Sequence, residues 1–371
     1  AFFASRRGVA TLPVAGGDAA WADLAPLGSA EVVGAISPEP ELVVLALSDG
    51  RLLPVDVKTE VTFEEGKRRV RADVRASEPI TVGAEGRPAT AFKYVRGPDG
   101  PIALAATGPR ELALVRVRET TNMMGDTTRE ESRGALALTV LGEVSALAVD
   151  SRGQDAFVGT TKGEIARLDL RDEASPRQEE TVTTPDGAPV TVLGFLNGDR
   201  TLVSGDAAGH VSSWQVVQAE DGSSRRLTRI HEFVRHGAAV TGFSASRRDK
   251  GFVTADASGG VEVHYATTGK SLLSLKAGAT AVGAVVFAPK ADAVVTASAD
   301  GRLHHFALRN PHPEVSWRSL FGKVWYEGYP KPDYVWQSTG GTDDFEAKFS
   351  LTPLIYGTLK GTFYALILAI P

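Results

Sequence analysis

The chain has 371 residues and 39.2 kDa; with 43% hydrophobic and 23% charged residues it carries enough apolar material for a large core, which excludes a disordered chain. A formal charge of −5 and an isoelectric point near 5.9 exclude the strongly basic balance of a general nucleic-acid binder. The lack of cysteine excludes thiol catalysis, disulfide staples and thiolate metal sites while leaving the compartment open, and 39 glycines and 20 prolines favour short strands joined by many turns.

In chain order, FFASRRGVATLPV at 2–14 reads as a first hairpin. AEVVGAISP at 30–38 is a strand, and VVLALSDGRLLPV at 43–55 a hairpin turning on Asp49-Gly50. Four more copies of the same pair of phrases follow before a fifth and last one. They are ATAFKYV (89–95) with IALAATGPRELALV (102–115), VSALAVD (144–150) with FVGTTKGEIARL (157–168), VTVLGFL (190–196) with LVSGDAAGHVSSW (202–214), and VTGFSAS (240–246) with FVTADASGGVEVHY (252–265). VGAVVFAP (282–289) with VVTASADGRLHHF (294–306) closes the series. The turn glycines Gly50, Gly163, Gly209, Gly259 and Gly301 are each followed two places on by an apolar residue, and Arg110 stands at that position in the 102–115 copy. Glycine reaches the positive φ of a tight hairpin at little steric cost.

The runs before each hairpin are four to eight residues long, rich in valine, phenylalanine and threonine, and often apolar on successive residues, which marks strands buried on both faces. No stretch before residue 350 sustains a helical period for three turns. Repeats of 42–60 residues predict an all-β propeller with variable outer loops. It has seven blades if 2–14 is a hairpin and six if Ala1–Ala4 instead end a preceding helix. Closure is expected to pair the N-terminal hairpin with a late strand near Val315 to Leu320.

Over 1–320 the pattern resembles the WD-repeat class of β-propellers, implying that fold. Trp214 sits at a strand end, but there is no Trp-Asp dipeptide and no Gly-His pair opens a blade. The hydrogen-bonding Asp/Thr/Ser set of a strict WD repeat is therefore left unassigned.

The composition changes after Ser316. Residues 321–348 form an aromatic-rich linker within a cluster of Trp317, Trp325, Tyr326, Tyr329, Tyr334 and Trp336, and end in the polar, acidic stretch QSTGGTDDFEAK at 337–348. Residues 349–371 end in an uninterrupted apolar run from Gly361 to Pro371, about half of the roughly 20 residues a bilayer span needs, so a membrane helix cut by the chain boundary is expected. The aromatic cluster suits either a membrane interface or a packed strip against the propeller.

FGKVWYEGYPKPDYVWQSTGGTDDFEAKFSLTPLIYGTLKGTFYALILAIP at 321–371 resembles the stretch leading into the membrane domain of the phosphate-specific ABC importer permease, in its large bacterial form. Pro353, Tyr356-Gly357-Thr358-Leu359 and Ala369-Ile370-Pro371 stand where such permeases begin their core transmembrane region. The resemblance implies a propeller insert on the extracytoplasmic (periplasmic) side of the bacterial inner (plasma) membrane, anchored by the C-terminal segment. It implies as partners the sister permease subunit, the ATPase subunits and the phosphate-binding protein. The coupling loop and later helices of that family are missing, so this stretch alone does not transport. Trp325, Tyr326, Tyr329 and Trp336 are the expected docking residues. The alternative is a soluble cytoplasmic WD-like interaction scaffold, distinguished by a polar rather than apolar continuation past Pro371.

No catalytic, cofactor-binding or metal-binding residue is assigned, no cofactor is implied, and no nucleic acid is expected as a partner. His304 and His305 are adjacent on a strand and face opposite ways. Ser204, Asp206 and His210 lack the elbow that frames a nucleophile and coincide with turn positions of other copies. Gly340-Gly341 with Asp343 and Asp344 lacks calcium-loop spacing. Lys67, Arg68, Arg69, Arg71 and Arg75 alternate with Val70 and Val74 as on an outer strand with one wet face. Met123-Met124 lies in a polar loop. An enzymatic site in a central channel would need titratable groups on inner strands that are almost wholly apolar.

Overall fold

The computed structural model describes residues 2–11, 20–64, 67–83, 86–121, 127–172, 175–309, 312–342 and 344–370. Met123, Met124 and Asp343 lie outside the described residues, as do the side chains of Lys67, Arg68, Arg69 and Arg71.

The described residues form seven antiparallel sheets in chain order and one short strand pair in the tail. Sheet 1 holds Phe2–Ser5, Gly8–Thr11 and Ala20–Trp21. Sheet 2 holds Val32–Glu39, Leu42–Leu47, Arg51–Glu64 and Lys67–Ala76, with Ile80–Thr81 added beside Arg51–Leu52. Sheet 3 holds Phe92–Gly97, Gly100–Gly108, Glu111–Thr121 and Thr127–Ala137. Sheets 4, 5 and 6 repeat four strands: Val144–Val149, Asp155–Thr160, Glu164–Asp169, Arg177–Thr183; Val190–Phe195, Thr201–Asp206, Val211–Gln218, Arg225–Glu232; and Val240–Ala245, Gly251–Asp256, Gly260–Tyr265, Lys270–Lys276. Sheet 7 has Val282–Phe287, Ala293–Ser298 and Leu303–Ala307. The chain divides into two compact units, Ala1–Val158 with Ala166–Glu179, and Gly159–Ile165 with Glu180–Pro371.

Within the first unit, Leu42, Leu52, Ile80, Tyr94, Val115 and Val117 fill the space between sheets 2 and 3. Within the second, Leu196, Val203, Val211, Phe233 and Phe252 do so between sheets 5 and 6, and Val253, Val263, Val285 and Val294 between sheets 6 and 7. Burial against a neighbour on each side explains why the inner strands are apolar on consecutive residues. Gly194 shows how close the approach is: a Cβ there would lie 2.2 Å from the Phe243 ring of the next sheet.

The turn glycines have a second cause besides φ. Gly209 has φ +89°, and its carbonyl accepts from His236 N, 2.9 Å away, on the chain entering the next sheet. A Cβ on Gly209 would sit 2.4 Å from the His236 carbonyl oxygen. Arg110 has no positive φ; a register shift between Ala106 and Gly108 reshapes that turn, and the Arg110 carbonyl still accepts from Leu138 N at 2.8 Å.

The expected late strand is absent. Trp317–Phe321 is a short helix, α1, because Ser316 and Ser319 form a reciprocal capping box: the Ser316 hydroxyl accepts from Ser319 N and the Ser319 hydroxyl from Ser316 N. Among the described residues, sheet 1 contains only its own strands. The tail then pairs Trp336–Gln337 with Lys348–Phe349 and ends in α2, Thr352–Ala369.

Candidate functional site

The tail that carries the predicted docking residues is seated on sheets 5 and 6 by buried polar groups. Glu327 accepts from Thr201 Oγ1 at 2.6 Å and meets Lys250 Nζ at 2.6 Å. Lys250 also donates to the Asn197 carbonyl at 2.6 Å, which, with Glu327, satisfies an ammonium that is 1% exposed. Glu346 accepts from Thr267 Oγ1 at 2.5 Å and from Glu327 N at 2.8 Å. Burial, with the Glu327 charge beside it, raises the Glu346 carboxyl to about 7.

Tyr326 is 1% exposed, its ring edge-on to Tyr329 at 6.0 Å, and burial raises its phenol to about 12. Trp325 is half-buried and donates its indole N–H to the Tyr329 carbonyl at 2.8 Å. Lys348 lies over the rings of Phe345, Tyr326 and Tyr329 at 5.1–5.9 Å. Three of the four predicted docking residues therefore build the tail itself. Trp336, 41% exposed and packed on Phe349, is the one that faces outward. The more exposed aromatics are Trp317 at 81% and Phe321 at 45%, stacked 5.8 Å apart on α1. Both lay in an obviously aromatic segment, but choosing between them and Tyr326 required the helix that α1 turned out to be.

Within the polar, acidic stretch 337–348, Glu346 and Lys348 are buried. Their signal was weak: two charges of opposite sign flanking Ala347 beside Phe345. Glu327, Lys250, Thr201 and Thr267 gave none, because their contacts span 19 to 126 residues.

α2 differs in kind. Its 18 residues bury no side chain, and Leu354, Ile355, Leu359, Phe363, Leu366, Ile367 and Leu368 are all exposed. Its N-terminus is fixed rather than loose: Leu351 N donates to the Leu320 carbonyl at 2.8 Å and Ser350 N to that of Val335 at 3.0 Å. No helix among the described residues is long and apolar enough to cross a membrane.

The residues weighed for chemistry have other roles. Ser204 accepts from Trp214 Nε1 at 2.8 Å. Asp206 receives Ala208 N and His210 N on one oxygen and the His210 ring on the other at 2.9 Å, closing the hairpin turn. His304 stacks on Phe306. Asp344 packs against the turn at Gly198, and Arg75 pairs with Asp73. No group of three or more His, Asp or Glu placed to hold a metal occurs among the described residues.

One hydrogen-bonded set left unassigned from sequence is present in sheet 6. Asp256 Oδ2 lies 3.0 Å from His236 Nδ1, His236 Nε2 2.8 Å from Thr254 Oγ1, Thr254 Oγ1 2.8 Å from His264 Nε2, and His264 Nδ1 2.9 Å from Ser271 Oγ. A carboxylate only accepts, so the polarity runs one way: Ser271 to His264 to Thr254 to His236 to Asp256. His264 stands where Trp214 stands in sheet 5, each at a register shift in its strand. The set escaped notice because His236 precedes its glycine and a histidine replaces the tryptophan.

With these sheets in view, comparison with solved structures decides the fold. A chain of the crystal structure of the mitotic checkpoint complex matches over 83% of this chain and 84% of its own, at TM-score 0.54 and 16% identity. The fold is a WD40-like β-propeller. A computationally designed protein, Ika4, covers 46% of this chain and 94% of its own at 23% identity, and at TM-score 0.38 bears no weight. No family model and no curated protein matches.

Proposed function

We propose that the chain is a non-enzymatic docking platform, and that it serves as the extracytoplasmic part of a permease for phosphate import. The observation that carries this reading is α2, an apolar helix that buries none of its own side chains and leaves the propeller beside exposed Trp317, Phe321 and Trp336. A surface of that kind is a contact waiting for lipid or for another apolar helix. The resemblance of 321–371 to phosphate permeases supplies the finer part: the sister permease subunit and membrane as the seat, the phosphate-binding protein as the partner at the propeller, and the ATPase subunits as partners of the assembled transporter. Ser204, Asp206 and His210, the set weighed for nucleophilic chemistry, are hydrogen-bonded into a blade and its turn.

Flotation with vesicles of phosphatidylethanolamine and phosphatidylglycerol tests the seat. The chain should float with them and the L359K/L366K variant should remain in solution; equal partition of both into the aqueous layer refutes the seat. Phosphate uptake by cells whose native locus lacks the propeller tests the finer reading, with unimpaired uptake and assembly as the outcome against it.

A further inference from the structure

The stacked rings of Trp317 and Phe321 stand in water on a turn that is itself rigid. Tryptophan is highly buried on average, so a ring this bare leaves an unusual amount of apolar surface uncovered. The exposure is not that of a loose loop. The reciprocal Ser316–Ser319 bonds fix α1, and the Ser319 hydroxyl also reaches the Glu314 carbonyl at 3.2 Å.

Backbone bonds place these rings at the foot of α2. Leu351 N donates to the carbonyl of Leu320, the residue before Phe321. Ser350 N donates to that of Val335, the residue before Trp336. α1 and the strand holding Trp336 therefore flank the two residues that lead into the helix. Further along α2, apolar side chains run round the whole circumference: Leu366, Ile367 and Leu368 follow one another at steps of about 100°, and all three are exposed. One protein face covers one side of a helix, whereas hydrocarbon covers every side. An interfacial helix lying flat would need a single apolar face, which this stretch lacks.

We propose that the second unit rests on a phospholipid surface through α1, with Trp317 and Phe321 at the boundary between headgroups and hydrocarbon and the end of α2 beyond them among the acyl chains. An indole has an apolar body and a polar N–H, the combination that settles at that boundary. This contact rests on the reading of α2 as the seat and narrows it: the surroundings are lipid rather than a partner helix, and α1 is a second point of attachment. The 18 residues of α2 rise about 27 Å, short of the roughly 30 Å of a hydrocarbon core, so α2 by itself enters the core without crossing it. Its one charged side chain, Lys360, lies over the Tyr364 ring at 5.8 Å, which lessens the cost of carrying that charge below the headgroups.

The full chain on vesicles of phosphatidylethanolamine and phosphatidylglycerol tests the contact, with added phosphatidylcholine brominated near either the headgroup end or the methyl end of its acyl chains. W317F removes one emitter and keeps the stack, so the difference between wild type and W317F reports Trp317 alone. That difference should be quenched by the shallow bromines and much less by the deep ones. W317A/F321A should partition into vesicles at least about tenfold less, the loss of two rings from an apolar contact. V234A, which trims an exposed apolar residue between sheets 5 and 6, should partition as the wild type does. Both α1 rings project from the fold, and an unchanged melting temperature verifies that the variant folds. Flotation with Trp317 unquenched, equal quenching at both depths, or undiminished flotation of W317A/F321A would each overturn the proposal while leaving α2 as the seat. Failure of the wild type to float would remove the seat and this contact with it. A mass of two chains in detergent that falls to one in W317A/F321A would assign the rings to a second copy, and would also overturn it.

Discussion

Thr254 shows what one hydroxyl can hold together. It accepts from His264 and donates to His236, so removing it strands two buried imidazole nitrogens at once. Thr254→Val is expected to cost about 2–6 kcal/mol, from the roughly 1–3 kcal/mol of each unsatisfied buried group, read by urea denaturation. The same ring sets an acid limit. Burial and the neighbouring His236 lower the His264 pKa from 6.5 to about 3. The unfolded chain therefore binds the proton first, and stability falls as pH drops from about 6.5 toward 3. Glu346 runs the other way. Its carboxyl is raised from 4.5 to about 7 in the fold, so the folded state holds the extra proton. That contribution is complete below about 4.5 and is lost as pH rises through about 7. Limited proteolysis of the tail across pH 5 to 8.5 should show cleavage increasing above neutrality, with Glu346→Gln abolishing the rise. Lys250→Met should loosen the tail by about 3–5 kcal/mol, since it leaves the buried Glu327 carboxylate without its cation, and the same proteolysis at fixed pH reads it.

Among elements, the hairpin turns divide by what lies beyond them. Gly209 and Gly259 face backbone atoms of the following loop within 2.4–2.5 Å of a would-be Cβ, whereas Gly301 has open space at φ +80°. Gly301→Ala should cost about 1 kcal/mol for the backbone conformation alone, and Gly209→Ala clearly more, because φ strain and a displaced loop add; paired thermal melts decide it. Sequence reading found these glycines and the strands around them because hairpin periodicity is local. It placed Trp214 at a strand end, whereas the strand runs on from Val211 to Gln218 and holds Trp214 inside it. It misread Val315–Leu320 as a strand, since the capping serines there look like any turn residues until both reciprocal bonds form. It also missed the seat of the tail, whose partners Thr201 and Glu327 are 126 positions apart. Aromatic enrichment marked the tail as different from the blades. It did not separate Tyr326, which points into the body, from Trp317, which points out, because an irregular segment has no period to read.

For the whole molecule, the exposed apolar helix is the least balanced feature. Since α2 buries none of its side chains, ending the chain after Leu351 should leave the propeller's melting temperature unchanged while sharply reducing light scattering in detergent-free buffer. A drop in melting temperature would mean that the helix supports the fold. The WD40-like body supplies a rigid base, and its hydrogen-bonded turns and inter-sheet valine layers are complete without the tail's last residues.

The absence of slack between Phe349 and Thr352 has a mechanical meaning. Ser350 and Leu351 are both tied by their amides, so the helix does not hang from a hinge. Whatever grips α2 therefore sets the heading of the second unit as well, and a tilt imposed on the helix arrives at sheets 5 and 6 as torque through the Lys250–Glu327 contact, not as the swing of a loose tether.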